Sequence, residues 1–263
     1  MYDRYEKLKF AKDGPVLTIT LDHPPTNAIA GQLHEELSTI FREVNRDADV
    51  RVIVFTGAGD VFSAGGDINR MAERLERQEY DGWPAVMAEA TEIVYSLLDC
   101  RKPIIARING MCLGLGASIS LLCDISVMVE GAVIGDPHVN IGLVAGDGGA
   151  LLWPQNSGFA RAREFLLTGE NLDAAKAAEI GLINHCVPRD QLDAKVADLA
   201  RKLASRPAPA VAGTKHAINL ALRRQIEGLV EANLGIETWT WLSKEHHQQV
   251  FSLRDRWARK REG

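Results

Sequence analysis

Two segments of this chain join an apolar, strand-like run to small residues and then to the start of a helix. The first, Ser63-Ala64-Gly65-Gly66-Asp67, follows the β-branched run 51–56. The second, Gly114-Leu115-Gly116-Ala117-Ser118, follows the apolar run 103–108. A helix that begins at such a loop leaves backbone N–H groups free, and these groups attract negative charge. If both loops meet at one oxygen, they form an oxyanion hole made of main chain.

A histidine and an aspartate supply titratable groups beyond these loops. His138 lies in Asp136-Pro137-His138, and Asp147 follows nine residues later in Gly146-Asp147-Gly148-Gly149. An imidazole that faces a carboxylate is held in one tautomer and becomes a stronger base. This is the arrangement of a base and its orienting group in hydrolytic sites. We therefore predict that His138 and Asp147 are catalytic.

Alternating strands and helices position these residues. Strands are expected at 8–10, 16–21, 51–56, 103–108 and 125–129, and helices at 32–45, 67–79, 84–99 and 115–122. This order is typical of an α/β protein with a largely parallel sheet. From residue 158 onward the pattern is almost entirely helical. We therefore divide the chain into a core, 1–157, and a helical C-terminal region, 158–263, within one fold unit.

The composition excludes several classes of protein. The 263 residues carry a net charge of −5, which argues against nucleic acid or an anionic membrane as the main partner. The four cysteines have no metal-ligand spacing, so we expect free thiols and no metal site. The charged N-terminal segment does not resemble a signal peptide, and no apolar run is long enough to span a membrane. A cytoplasmic location is expected.

Several motifs in order along the chain resemble the crotonase superfamily, which includes the enoyl-CoA hydratases and isomerases. They are Pro25-Thr26-Asn27-Ala28, Phe62-Ser63-Ala64-Gly65-Gly66-Asp67-Ile68, Asn109-Gly110, Gly114-Leu115-Gly116, Cys123-Asp124-Ile125, Gly146-Asp147-Gly148-Gly149 and Leu167-Thr168-Gly169. The resemblance covers roughly residues 5 to 225. It implies a spiral of ββα units with a helical C-terminal trimerisation region, and a homotrimer or homohexamer.

The resemblance also implies that the substrate is an acyl-CoA thioester and that no other cofactor is needed. Carried over residue by residue, the oxyanion-hole N–H groups fall on Ala64 and Leu115. The loop from Ala64 to Ile68 would bind CoA through its backbone, and Asn27 and Ala28 would lie near the CoA path. The residues expected to contact CoA or substrate are Asn27, Ala28, Ser63, Gly65, Gly66, Asp67, Ile68, Gly114 and Ser118.

The chain departs from the hydratases at the two glutamates that they use. Those positions fall on Ser118 and His138. Because hydration needs one group to activate water and another to deliver a proton, the ordinary mechanism is not available. Our first hypothesis is an enoyl-CoA hydratase/isomerase-family enzyme in which His138 and Asp147 replace the glutamates. The alternatives are a hydrolase of a thioester or of a β-diketone C–C bond, and an acyl-CoA-binding protein without catalysis.

Overall fold

A computed structural model describes residues 1–262 of the chain, with the side chains of residues 1–259. The strands in these residues form two sheets. In these residues the strands are β1 (Leu8–Asp13), β2 (Val16–Leu21), β3 (Val52–Gly57), β4 (Val61–Ser63), β5 (Ile104–Ile108), β6 (Met111–Leu113), β7 (Ile125–Val129), β8 (Val133–Gly135), β9 (Leu172–Asp173) and β10 (His185–Val187). The larger sheet has the order β1-β2-β3-β5-β7-β10. Only β1 and β2 pair antiparallel in it, so the prediction of a largely parallel sheet is confirmed.

The smaller sheet has the order β4-β6-β8-β9, and its strands are two or three residues long. Strands β4, β6 and β8 run parallel, and β9 is antiparallel to β8. We did not predict this sheet, because strands this short lack a readable alternation of apolar and polar residues. The segment after residue 108, expected to be a loop, therefore contains β6.

Helices follow most strand pairs. They are α1 (Gln32–Arg46), α2 (Ile68–Glu76), α3 (Trp83–Asp99), α4 (Leu115–Leu122), α5 (Gly149–Ser157), α6 (Phe159–Thr168), α7 (Ala174–Glu179), α8 (Arg189–Ala204), α9 (Ala208–Ile226), α10 (Leu229–Trp241) and α11 (Lys244–Glu262). A 3₁₀ turn occupies His138–Ile141. No helix among residues 1–262 is both long and apolar enough to cross a bilayer.

The chain repeats a two-strand unit, and each unit contributes one strand to each sheet. Strands β3 and β4 precede α2, and β5 and β6 precede α4; β7 and β8 form the third pair. Repetition of this step winds the chain into the predicted spiral of ββα units. All residues of β3 are buried, and Phe55 lies between Phe41 and Phe62, with ring centroids 5.6 Å and 5.8 Å away.

The C-terminal region is less purely helical than its pattern indicates. Beyond residue 158, β9 joins the smaller sheet beside β8, and β10 joins the larger sheet beside β7. Both strands are too short to stand out from the surrounding helical sequence. Helix α8 also packs on β3, β5 and β7. The boundary drawn at 157 therefore falls between α5 and α6, and both sheets continue past it.

A buried ion pair ties the C-terminal helices to the core. Lys215 of α9 is 6% exposed, and its Nζ donates to Asp124 Oδ2 at 2.7 Å and to the Lys102 carbonyl at 2.9 Å. The same Asp124 oxygen accepts the Ile104 N–H at 2.7 Å, at the start of β5. Removing one member of such a pair leaves the other charge without compensation.

We predict that Lys215→Met lowers the free energy of unfolding by about 2 kcal/mol, because the Asp124 carboxylate loses its cationic partner. Urea unfolding at fixed protein concentration measures the change. The control is Lys176→Met, which breaks a surface pair with Glu179 and should cost less than about 0.5 kcal/mol. Equal midpoints for the two variants would contradict the prediction.

Candidate active site

The two glycine loops, residues 63–67 and 114–118, meet because the strands that precede them are neighbours. Strands β4 and β6 pair in parallel, with Val61 opposite Met111 and Ser63 opposite Cys112, so both chains leave the sheet at the same edge. Gly65 and Gly114 have φ values of 81° and 52°, which favour glycine. A Cβ placed on Gly114 would lie 3.5 Å from the Gly65 Cα. The two loops therefore lie against each other, and their convergence on one oxygen stays a prediction.

Two free backbone N–H groups lie at this junction. Leu115 is the first residue of α4, and Gly66 precedes the cap of α2. Within residues 1–262, neither the Gly66 N–H nor the Leu115 N–H has a hydrogen-bond acceptor. Both residues line the same cavity. Two such donors on one cavity wall are what an oxyanion hole requires.

The prediction that Ala64 supplies one of these donors is wrong. The Ala64 N–H donates to the Thr26 carbonyl at 3.0 Å, and Ala64 does not line the cavity. The loop turns between Ala64 and Gly66, and the Gly66 N–H, two residues later, has no acceptor among the described residues. Gly66 is therefore the candidate donor in this loop, because its N–H is free and it lines the cavity.

Two residues expected to contact ligand support the first loop through their side chains. Ser63 is fully buried; its Oγ donates to the Asn27 carbonyl at 2.8 Å and accepts the Gly65 N–H at 3.1 Å. The Asn27 amide donates to the Ala58 and Val61 carbonyls, and its oxygen accepts the His23 N–H. These side chains have their polar groups satisfied inside the protein.

The other expected contact residues divide between the cavity wall and the layer behind it. Gly66 and Asp67 line the cavity, whereas Ala28, Gly65, Ile68, Gly114 and Ser118 do not. The Asp67 carboxylate caps α2 by accepting the Asn69 and Arg70 N–H groups at 2.9 Å and 3.2 Å. Ser118 is fully buried, and a Cβ on Gly148 would lie only 2.8 Å from its Cβ. Ser118 and Gly148 therefore pack closely, and a side chain at position 148 would collide with Ser118.

His138 is held between two carboxylates. Its Nδ1 hydrogen-bonds to Asp136, and its Nε2 lies 3.5 Å from Asp147 Oδ2. The two members of the predicted His138–Asp147 pair therefore lie at ion-pair distance, but we missed Asp136, which fixes the ring from the other side. The available clue was its position two residues before His138 in Asp136-Pro137-His138.

The two carboxylates determine the charge of the imidazole. Burial lowers the pKa of His138, but attraction to Asp136 and Asp147 outweighs burial and raises this pKa well above its usual value. The two carboxylates therefore favour the imidazolium form of the ring, which has a proton on each nitrogen. Asp136 Oδ2 and Asp147 Oδ1 are buried and have no hydrogen-bond partner among the described residues.

A third carboxyl group enters the site from the C-terminal region. Glu237 of α10 is 6% exposed, lines the cavity, and has no partner for Oε2 in the described chain. Burial, and next the negative charge of Asp147, raise the pKa of Glu237 to about 8. The carboxyl group is therefore mostly neutral at pH 7. Sequence reasoning missed it, because a single glutamate in Ile236-Glu237-Thr238-Trp239 resembles an ordinary helical residue.

The cavity has a volume of about 580 Å³. Part of its wall is apolar and comes from α3, α10 and the segment after the 3₁₀ turn: Trp83, Val86, Met87, Ala90, Leu143 and Trp241. Trp83 and Trp241 stack with ring centroids 4.2 Å apart, and Trp83 Nε1 donates to Thr238 at 2.8 Å. Charged side chains of α1 and α2, Glu35, Arg70 and Arg74, also line it.

The carboxylate–histidine cluster is also spaced as metal ligands could be. One ligand atom from each of Asp136, His138 and Asp147 lies within 4.8 Å of the others. However, the His138 Nδ1 is already bonded to Asp136, and a high imidazole pKa favours protons over a cation at the ring nitrogens. We interpret the cluster as a proton-holding group, and the absence of a metal requirement stays a prediction.

Comparisons with known proteins identify the class. The family model described as enoyl-CoA hydratase/isomerase matches residues 11–257. The carnitinyl-CoA dehydratase of Citrobacter koseri is 35% identical over 211 residues, which are 80% of this chain and 79% of that protein. A probable mitochondrial enoyl-CoA hydratase of Dictyostelium discoideum is 34% identical over 79% of this chain and 73% of its own.

Solved structures agree with this classification. An enoyl-CoA hydratase/isomerase from Mycobacterium paratuberculosis has a TM-score of 0.88 at 34% identity, over 94% of this chain and 98% of that one. A β-diketone hydrolase from the cyanobacterium Anabaena has a TM-score of 0.82 at 30% identity, over 91% and 96%. The fold is therefore that of the crotonases. This chain belongs to the enoyl-CoA hydratase/isomerase family.

The raised pKa of Glu237 predicts a pH-dependent stability. Between pH 4.5 and about 8 the folded protein holds a proton on Glu237 that the unfolded chain releases, so the free energy of unfolding falls as pH rises. Glu237→Gln has no ionisable group at this position, so this decrease of the free energy of unfolding with pH should be absent in the variant. Relative to wild type, the variant should gain on the order of 3 kcal/mol between pH 5 and pH 8.

Chemical denaturation of wild type and Glu237→Gln at several pH values measures this difference. Glu164→Gln, which removes an exposed carboxyl group from α6, is the matched control for the loss of one charge. Parallel stability profiles for wild type and Glu237→Gln would show that the Glu237 carboxyl group is not neutral in the folded protein.

Proposed function

We propose that this protein is an enzyme that binds an acyl-CoA thioester and holds its carbonyl oxygen between the N–H groups of Gly66 and Leu115. The observation that carries the proposal is that these two free N–H groups and the His138 cluster line one cavity. The cluster adjoins the second loop, since a Cβ on Gly114 would lie 3.5 Å from His138 Cε1. A carbonyl placed there would be polarised beside groups that transfer protons.

The proposed chemistry begins with charge on the thioester oxygen. When a nucleophile adds to an α,β-unsaturated thioester, or when a proton leaves its α-carbon, negative charge develops on that oxygen. The Gly66 and Leu115 N–H groups would stabilise this charge, and one such donor is typically worth about 3 kcal/mol of the barrier.

Three side chains would then move the protons. Asp147 has a carboxyl oxygen with no partner beside His138, so it could accept a proton from water. Glu237, neutral because its pKa is raised to about 8, can donate a proton to the α-carbon. Asp136 keeps the ring in place through Nδ1. Asp147 and Glu237 would thus replace the two glutamates of the hydratases.

Two arginines support CoA as the carrier of the acyl group. Arg70 and Arg74 lie four residues apart on α2 and line the cavity. Guanidinium groups suit the phosphates of such a ligand. The absence of a side chain at Gly31 leaves room for the Arg70 guanidinium, because a Cβ at position 31 would lie 2.6 Å from an Arg70 nitrogen.

A second candidate function is hydrolysis of a C–C bond in a β-diketone. It is favoured by the similarity to the Anabaena β-diketone hydrolase and by the buried histidine between carboxylates. Water that gives a proton to Asp147, beside the His138 ring, would add to one ketone, and the bond from that carbon to the central carbon would break. Its electron pair would form an enolate held by Gly66 and Leu115, and protonation would leave a ketone and a carboxylate.

We also propose a homotrimer or homohexamer. Exposed apolar side chains on α9 and α10 and just after α10 would be covered in such an assembly: Ile218, Leu220, Leu229, Ile236, Trp239 and Leu242. A cytoplasmic location, and the absence of nucleic acid and membrane partners, remain predictions from composition.

We predict that His138→Ala and Asp147→Asn each lower kcat/KM by roughly 10²- to 10⁴-fold, because general acid–base transfer is lost. Turnover of crotonyl-CoA, of longer enoyl-CoAs and of a cyclic β-diketone measures the loss and separates the two candidate reactions. His216→Ala, on the exposed face of α9, is the control. Undiminished turnover in the first two variants would refute their role. Thermal stabilisation of wild type by CoA without any turnover would instead favour a binding protein.

Gly66→Pro tests the oxyanion hole, because proline has no N–H. The variant should lose about 10²- to 10³-fold in kcat. Gly66→Ala keeps the N–H and is the matched control; its Cβ meets only the flexible end of Met71, at 2.5 Å. Circular dichroism verifies that both variants fold. If Gly66→Pro and Gly66→Ala have equal kcat, Gly66 is not a donor to the substrate.

A further inference from the structure

A second histidine–carboxylate pair lines the cavity, and the chemistry described above does not use it. His34 lies on α1 and Glu89 on α3, and His34 Nδ1 is 2.5 Å from Glu89 Oε2. Both residues line the cavity. His34 is 7% exposed, so the ring is largely enclosed by protein. Such a pair places a polar group in a cavity wall that also contains Val86, Met87 and Ala90.

The free nitrogen of this ring is the one that can reach a ligand. His34 Nδ1 is hydrogen-bonded to Glu89, and no group among the described residues hydrogen-bonds to His34 Nε2. Because a carboxylate on one nitrogen orients the ring, Nε2 is presented in a fixed direction. An apolar acyl group packed against it would leave a polar atom without a partner, which is costly in an enclosed site.

A second ion pair already joins the same two helices, so the His34–Glu89 pair is not needed to hold them together. Arg42 of α1 and Glu92 of α3 form an ion pair at 2.7 Å, and both are about half exposed. That pair joins α1 to α3 at the surface and does not line the cavity. The His34–Glu89 pair therefore has an exposed counterpart that joins the same helices without access to ligand.

We infer that His34, positioned by Glu89, binds a hydroxyl or keto oxygen on the acyl group, so that the enzyme selects oxygenated acyl groups over plain hydrocarbon ones. A hydroxyl oxygen suits either charge state of the ring, since it can donate to neutral Nε2 or accept from its N–H. This inference rests on the proposed acyl-CoA substrate. It concerns binding, and does not depend on which reaction follows.

The experiment measures affinity for matched CoA thioesters by titration calorimetry. Butyryl-CoA is compared with acetoacetyl-CoA and 4-hydroxybutyryl-CoA, and hexanoyl-CoA with 6-hydroxyhexanoyl-CoA. Wild type should bind at least one oxygenated thioester roughly tenfold more tightly than its plain counterpart, the value of one good hydrogen bond. Whether the keto or the hydroxyl compounds are preferred identifies the kind of oxygen.

The variants separate recognition from structure. His34→Ala should lose the preference for oxygenated over plain thioesters, and His34→Gln, whose amide can hydrogen-bond, should restore part of it. Glu89→Gln should weaken the preference, because the ring is no longer fixed by a charge. Arg42→Gln, which breaks the surface pair between the same helices, should keep it.

Two results overturn the inference while leaving the proposed function intact. One is that wild type binds plain and oxygenated thioesters equally well. The other is that the preference survives in His34→Ala. Failure of wild type to bind any of the CoA thioesters would instead refute the proposed function, and this inference with it. If His34→Ala does not fold, His34→Gln and Glu89→Gln still test the inference against Arg42→Gln.

Discussion

The parallel alignment of three very short strands governs the site. Strands β4, β6 and β8 lie side by side, and the Gly114 N–H donates to the Gly135 carbonyl at 3.0 Å just beyond the last paired residues. Because parallel strands end at the same edge, each delivers one part of the site there. The first delivers Gly66, the second Leu115, and the third Asp136 and His138. Without this small sheet, residues more than 70 positions apart would not share a cavity.

Burial then determines what these groups can do. An imidazole and three carboxyl groups lie together with little solvent, and they cannot all be charged. The imidazolium balances one carboxylate on each side, and Glu237 is left as the neutral acid. In the proposed mechanism, this separation of charge states would give the site both a proton acceptor and a proton donor near neutral pH. Acid–base chemistry would then be retained after replacement of both hydratase glutamates.

The resemblance places one of the two hydratase glutamates at Ser118. Ser118 packs against Gly148, next to Asp147 and at the start of α5, where a Cβ on Gly148 would lie 2.8 Å from the Ser118 Cβ. In the proposed mechanism, the acidic group would come from this neighbouring segment instead. Helix α10 closes the same cavity with Glu237 and Trp241, so the C-terminal region is part of the site as well as of the fold.

The sequence alone determined the features that local patterns encode: strands that lead into glycine loops, a helix beginning at Leu115, and a histidine and an aspartate close together in one segment. The crotonase-like spiral came from the resemblance of its motifs to a known family. The tertiary structure decided which atoms meet. It assigned Gly66 rather than Ala64 to the cavity, because the Ala64 N–H is bonded to Thr26. It also added Asp136 and Glu237 to the site. The role of a carboxyl group here depends on its burial and on neighbours up to some 90 residues away in the sequence, and the adjacent residues indicate neither.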